Sequence, residues 1–301
     1  IQDAYLNPPT WPNTNAARDP TQIDDLYHAA VNGKGDMLNA SSATDIQDKL
    51  TRALVGVQEQ IGAASAVTFN TATLETNSAL YLASFNSGNW SGDLVALPLG
   101  SLGEVGATQL WSAAAEIDRP QPAPNDRIIL TQSGNRGVPF RWNTSGDDSL
   151  STDQQADLEA NLFGTGQQVL DFIRGNRSNE GPGKLRVRAS ALGDIVHSSP
   201  VFVGTPSLGW PDESPFPEGN QAYSEFRASL ISNPRTEMIY FGGNDGMLHG
   251  LDAETGIEKV AYIPQYLFSS ASGEGLHYLA DPAYQHRYYV DLPPTVSDVY
   301  L

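Results

Sequence analysis

Apolar positions recur at helical spacing twice near the start of the chain, and after Ala66 they alternate with polar ones. Ile23, Leu26, Tyr27 and Ala30 predict a short helix, closed by the glycines of Asn32-Gly33-Lys34-Gly35. Thr44 and Gln47 form a capping-box pair, and Ile46, Leu50, Leu54, Val57 and Ile61 predict a second helix that Gly62 ends. Ahead of both, Pro8, Pro9, Pro12 and Pro20 among Asn, Asp and Thr predict an extended segment.

From residue 66 the two-fold alternation predicts short strands. ALYLASF, a turn at Asn86-Ser87-Gly88-Asn89, and WSGDLVALPL read as a hairpin. Further strands are expected at 109–111, 127–131, 138–142, 200–204, 238–242, 247–251 and 257–263. One helical interruption covers 150–174, where Leu158, Leu162, Val169, Leu170, Phe172 and Ile173 are apolar and Gly164-Thr165-Gly166 splits the run. The charged RGNRSNEGPGKLRVR that follows reads as a loop, and the closing VDLPPTVSDVYL reads as ending on a strand. Asn244-Asp245-Gly246 and Glu254-Thr255-Gly256 join the strands of 238–263 by tight turns into a meander, the unit of a propeller blade. The segment SGDLVALPL repeats that logic earlier in the chain.

Composition narrows the function. There are 17 Lys+Arg against 35 Asp+Glu, a net charge of −18 that repels polyanions, so no nucleic-acid partner is expected and an anionic membrane surface is disfavoured. With 0 Cys there is no disulfide framework, thiolate zinc site or cysteine nucleophile. No run approaches the roughly 20 apolar residues of a membrane span. The first residue is Ile, no signal-peptide pattern follows, and both ends read as the interior of a longer chain.

Candidate chemistry is sparse. His28, His197, His249, His277 and His286 form no H-x-x-x-H pair. His197 beside Ser198 and Ser199 suggests nucleophilic catalysis, but neighbours on a strand point to opposite faces, which favours a structural reading. Asn244, Asp245 and Asp252 flank tight turns and either converge on a cation or bond their own backbone, the commoner use of such residues. Asp24-Asp25 and Asp147-Asp148 read as solvated faces or helix starts. Tyr284, Tyr288 and Tyr289 offer either an adhesive surface or packing with a wet tip.

Five motifs in order carry a resemblance. DDLYHAAVNGKG (24–35), WSGDLVA (90–96), ALGDIVHSSPVFVG (191–204), EMIYFGGNDGMLHGLDAETGIEKVAYIP (237–264) and YQHRYYVDLPPTVSDVY (284–300) resemble the PilY family of type IV pilus tip-associated proteins and adhesins. The resemblance implies a mainly β fold, part of a modified, quinoprotein-like β-propeller. It places the end of a von Willebrand A-like domain, or a linker, at 1–65, and the first part of the propeller at 66–301 with a helical insertion near 150–175. At roughly 40–45 residues per blade, that length does not complete seven blades.

The family implies an exported, non-enzymatic protein at the bacterial cell surface, on the pilus tip (fimbrium) or outer membrane. It would act in pilus biogenesis and adhesion, with minor pilins and the type IV pilus tip as partners and a surface or host receptor beyond. The family's calcium loop has no D-x-[DN]-x-[DN]-G counterpart here, nor is there a D-x-S-x-S motif, so no cofactor or metal ligand is assigned and calcium is expected only beyond Leu301. The one dense basic stretch, Arg174, Arg177, Lys184, Arg186 and Arg188, reads as a solvated loop or as a docking site for an acidic pilin surface. Two other functions share the pattern: a quinone-dependent dehydrogenase propeller, whose usual disulfide this cysteine-free chain lacks, and an envelope assembly scaffold.

Overall fold

The computed structural model describes residues 62–69, 78–100, 104–119, 123–143, 145–206 and 208–299. Both helices expected before Gly62, with His28 and Asp24-Asp25, lie outside them. β1 (Gly62–Phe69), β2 (Ala79–Asn86), β3 (Ser91–Pro98) and β4 (Trp111–Ser112) form one antiparallel sheet in chain order. β5 (Ile129–Ser133) and β6 (Arg136–Pro139) pair as a hairpin. β7 (Val201–Val203), β8 (Met238–Gly243), β9 (Met247–Asp252) and β10 (Glu258–Ile263) make a second antiparallel meander. The mainly β, propeller-type fold therefore holds, as two meanders each of blade form.

Alternation explains how they stack. Ala79, Tyr81 and Ala83 of β2 and Leu94 and Ala96 of β3 are buried on one face, and they meet Ile239, Phe241 and Leu251 of the second meander in a shared core. Two aromatic donors close it: Tyr81 Oη and Trp111 Nε1 both donate to the Ala253 carbonyl, at 3.2 and 3.1 Å. Trp111 fits only because residue 256 is glycine, with φ +73°; a Cβ there would stand 2.6 Å from the ring.

A second core lies around β5, β6 and β10, covered by α2 (Thr152–Glu159) and α3 (Gly166–Ile173), after the short α1 (Ala113–Ile117). Ser151 with Gln154, and Thr165 with Gln168, are capping boxes, so each helix starts where its sequence satisfies the free N–H groups.

Four features differ from the sequence reading. The closing residues 292–299 form no strand, since Pro293-Pro294 removes two donors in succession. β10 joins β5 in parallel, a pairing across 132 positions that local alternation does not encode. β1 begins at Gly62, the residue expected to end a helix. A ten-residue helix, α4 (Tyr223–Ser232), occupies the β7–β8 connection.

Candidate functional site

Four segments meet where the meanders abut: the β2–β3 turn, residues 189–194, the β8–β9 turn and residues 284–291. Ser91 bridges Gly193, Gly92 N donates to Leu192 O at 3.4 Å, and Asn244 N donates to Asp194 O at 3.0 Å. So close is the approach that a Cβ on Gly193 would stand 2.3 Å from Asp245 N. Asp194 Oδ2 accepts from Asn244 Nδ2 at 2.7 Å and faces His286 Nε2 at 2.8 Å. Burial raises the Asp194 carboxyl above its ordinary range, against the hydrogen bonds from Asn244 and His286. The His286 ring stacks on Trp90 with centroids 3.7 Å apart, and Trp90 itself holds φ 55°. Such a backbone costs about 1–3 kcal/mol in a bulky residue, so the surrounding contacts fix it. His197 pairs with Asp291, which also accepts from Asn244 Nδ2 at 3.3 Å.

Asp245 links this joint to a buried ionic network. Its Oδ2 accepts from Gly193 N at 3.1 Å, and its Oδ1 lies 3.1 Å from His249 Nε2. His249 Nδ1 lies 2.8 Å from Glu258 Oε1. With both ring nitrogens facing carboxylates, the imidazole donates twice and is an imidazolium. Burial alone would lower its pKa, but Asp245 and Glu258 outweigh burial and raise it to about 9. Burial likewise works against the charged forms of Glu258 and Asp245, and is overcome by Arg127 with His249 for the first and by His249 for the second; both carboxyls sit below their ordinary range.

A pH dependence follows. His249 is raised above its unfolded value of 6.5, so its stabilisation is complete below about 6.5 and disappears as pH rises through about 9. Thermal unfolding between those limits should show a falling melting temperature, worth up to about 3 kcal/mol. His249→Gln should flatten that decline, and an unchanged decline in the variant would place its origin elsewhere.

The histidines that look isolated along the chain are paired in space. Among the described residues, His197, His249, His277 and His286 each face a carboxylate, His277 Nδ1 lying 2.6 Å from Asp157 Oδ1. Only the Asp245–His249 spacing is short enough to read locally; the Asp157 and Asp194 partners lie 120 and 92 positions away. Ser198 is buried and its Oγ accepts from Gly242 N at 2.7 Å, while the neighbouring His197 points to Asp291. The two are not joined as base and nucleophile.

Asp252 Oδ1 accepts from Glu254 N and Thr255 N at 3.1 Å, the backbone-bonding use of a turn aspartate. Asn244 and Asp245 point their oxygens at Tyr289 N, Gly193 N, Met247 N and His249, which does not suit a calcium ion. Among the described residues no group of three or more His, Asp or Glu is placed to hold a metal. Asp147 pairs with Arg136 at the surface. Of the three tyrosines, Tyr288 is exposed, whereas Tyr289 donates to Gly275 O at 2.9 Å and Tyr284 lies under the Arg186 guanidinium.

The basic stretch divides sharply. Arg174 is 1% exposed and donates to Phe140 O, Arg127 O and Asn125 O at 2.7, 2.7 and 3.2 Å. Arg188 is buried, stacks over Phe172 at 3.6 Å and pairs with Glu180 at 2.9 Å. Burial pulls both guanidinium pKa values down to about 10, leaving them charged at neutral pH. Arg186 donates to Leu279 O at 2.8 Å. Lys184 is exposed, and so is Arg177, although its guanidinium lies 3.4 Å from Glu180 and donates to Ala189 O at 3.3 Å and to Arg188 O.

The comparisons agree with this architecture. The PilY1 β-propeller domain matches residues 192–300. Type IV pilus biogenesis factor PilY1 of Pseudomonas aeruginosa strain UCBPP-PA14 is 34% identical over 314 residues, covering 96% of this chain and 25% of that protein. A PilY1 homologue of Xylella fastidiosa is 36% identical over 247 residues, covering 81% of this chain and 18% of that protein. The chain thus spans about a quarter of the length of the first of these relatives. No solved structure matches it. Neither relative bears an enzyme's name, and no helix among the described residues is long and apolar enough to cross a membrane. Residues 192–300 match the PilY1 β-propeller domain, within a chain similar along nearly its whole length to a stretch of the PilY1 proteins.

Proposed function

We propose that this chain is a non-enzymatic propeller segment of a type IV pilus protein, acting in pilus biogenesis and in attachment at the pilus tip on the bacterial surface. The observation that carries the reading is similarity to PilY1 factors across 96% of the chain. The chemistry of the joint is compatible with it. Its histidines, carboxylates and buried arginines bind one another and the backbone, which makes a rigid platform, and the described residues show no nucleophile activated by a base. Calcium, if the parent protein uses it, is held outside this segment. Deleting residues 62–301 from the parent protein should abolish surface pili in electron micrographs and twitching on agar. Normal piliation of the deletion strain would sink the reading.

Minor pilins are the proposed stable contact. Within the basic loop only Arg177 and Lys184 present charge to solvent, so docking of an acidic pilin surface rests on those two. Arg177→Gln with Lys184→Gln should weaken minor-pilin co-purification several-fold at low salt, and cost about 1 kcal/mol of stability through the Arg177 bonds to Ala189 O and Arg188 O. Undiminished co-purification at low salt would assign the loop to solvent alone.

A further inference from the structure

The β7–β8 connection runs from Gly204 to Glu237, where a tight turn would join two antiparallel strands, and it carries an apolar surface that nothing described covers. None of the ten residues of α4 is buried. Trp210, Phe226 and Ile231 are 44%, 41% and 60% exposed. Beside α4 lies a groove of about 720 Å3 floored by Trp210, Phe216, Phe226 and Val299, and a second hollow of about 290 Å3 lies across Trp210 and Tyr223 from it. The groove is braced: the Trp210 and Phe216 rings are 5.5 Å apart, and Tyr223 Oη donates to Asp298 Oδ2 at 2.8 Å, fixing the closing segment against the helix.

The charge around it is one-sided. Asp212, Glu213, Glu218 and Glu225 are exposed in the same connection and Asp298 stands at the wall, against Arg227 and Arg235. A second copy would bring acid against acid, on a chain whose net charge is −18, and an anionic bilayer is repelled in the same way. Two adjacent apolar hollows suit two side-chain anchors from one element. We infer that this face docks an amphipathic segment of a partner protein, with apolar anchors on one side and Lys or Arg on the other. This site is separate from the basic loop and does not depend on the pilus assignment.

The test uses the whole chain and a fluorescein-labelled amphipathic Leu/Lys peptide, with a Leu/Glu peptide of the same pattern as its counterpart, read by fluorescence anisotropy. The Leu/Lys peptide should bind at micromolar concentration at low salt, and the Leu/Glu peptide at least about tenfold more weakly. Phe226→Ser should raise the dissociation constant about tenfold, whereas Leu162→Ser, at a site 91% exposed on the α2–α3 connection, should leave it unchanged. Far-ultraviolet melting curves establish that both variants fold. Equal binding by the two variants would reduce the effect to general attraction between opposite charges and overturn the docking site. So would no binding, a concentration-dependent dimer abolished by Phe226→Ser, or association with phosphatidylglycerol vesicles.

Discussion

Replacing Glu258 with Gln should destabilise the protein by about 3–5 kcal/mol, because one carboxylate there serves two buried cations. Arg127 donates to it from Nε at 2.6 Å and from Nη2 at 2.8 Å, and His249 faces it at 2.8 Å. The three side chains are 5%, 0% and 4% exposed for Arg127, His249 and Glu258, so water cannot substitute. Gln keeps the shape, but its amide N–H groups would confront donors, and Asp245 alone would be left to balance the imidazolium. The change should appear as a lower midpoint in urea with an unchanged slope. It should also move the alkaline decline to lower pH, since His249 loses one of the two carboxylates that hold its proton. A variant as stable as the parent, with the same pH profile, would contradict the network.

The parts that were legible in the sequence are those encoded by near neighbours. Asn244-Asp245-Gly246 and the residues before Gly256 mark the turns of the second meander, and apolar spacing through Val169, Leu170, Phe172 and Ile173 marks α3. α4 escaped because YSEFRASLIS has no buried stripe: its apolar residues face outward, and burial is what periodicity detects. β1, GAASAVTF, is built of small residues whose alternation is faint. The buried ion pairs escaped for another reason. They connect Asp157 to His277, Asp194 to His286 and Arg127 to Glu258, across 120, 92 and 131 positions. A list of five scattered histidines therefore read as isolated, although the surplus of carboxylates gave each described one a partner. Distant pairing of this kind is decided by strand topology, and the sequence of either partner alone carries no trace of it.

The basic stretch shows what that limit does to a functional reading, and Arg174→Met tests it. The substitution should cost about 3–5 kcal/mol, since two buried carbonyls and a half-buried one lose their donor at roughly 1–3 kcal/mol each, reduced by relaxation and by the similar volume of Met. Those carbonyls belong to Phe140, Asn125 and Arg127, and the tie to Arg127 is reciprocal: Arg127 Nη1 donates to Arg174 O at 2.8 Å. That carbonyl lies at the C-terminal end of α3, where a cation also favours the helix dipole. Losing Arg174 therefore loosens α3, the β5 entrance and the Arg127–Glu258 pair together. Neutralising all five basic residues at once would unfold the protein before reporting on docking. Arg177 and Lys184 must be tested by themselves. Urea denaturation of Arg174→Met beside the Arg177→Gln, Lys184→Gln pair separates the two roles: the first should fall by about 3–5 kcal/mol and the second by only about 1 kcal/mol. An Arg174→Met variant of parental stability, yet deficient in pilin binding, would return that residue to the surface and reverse the assignment.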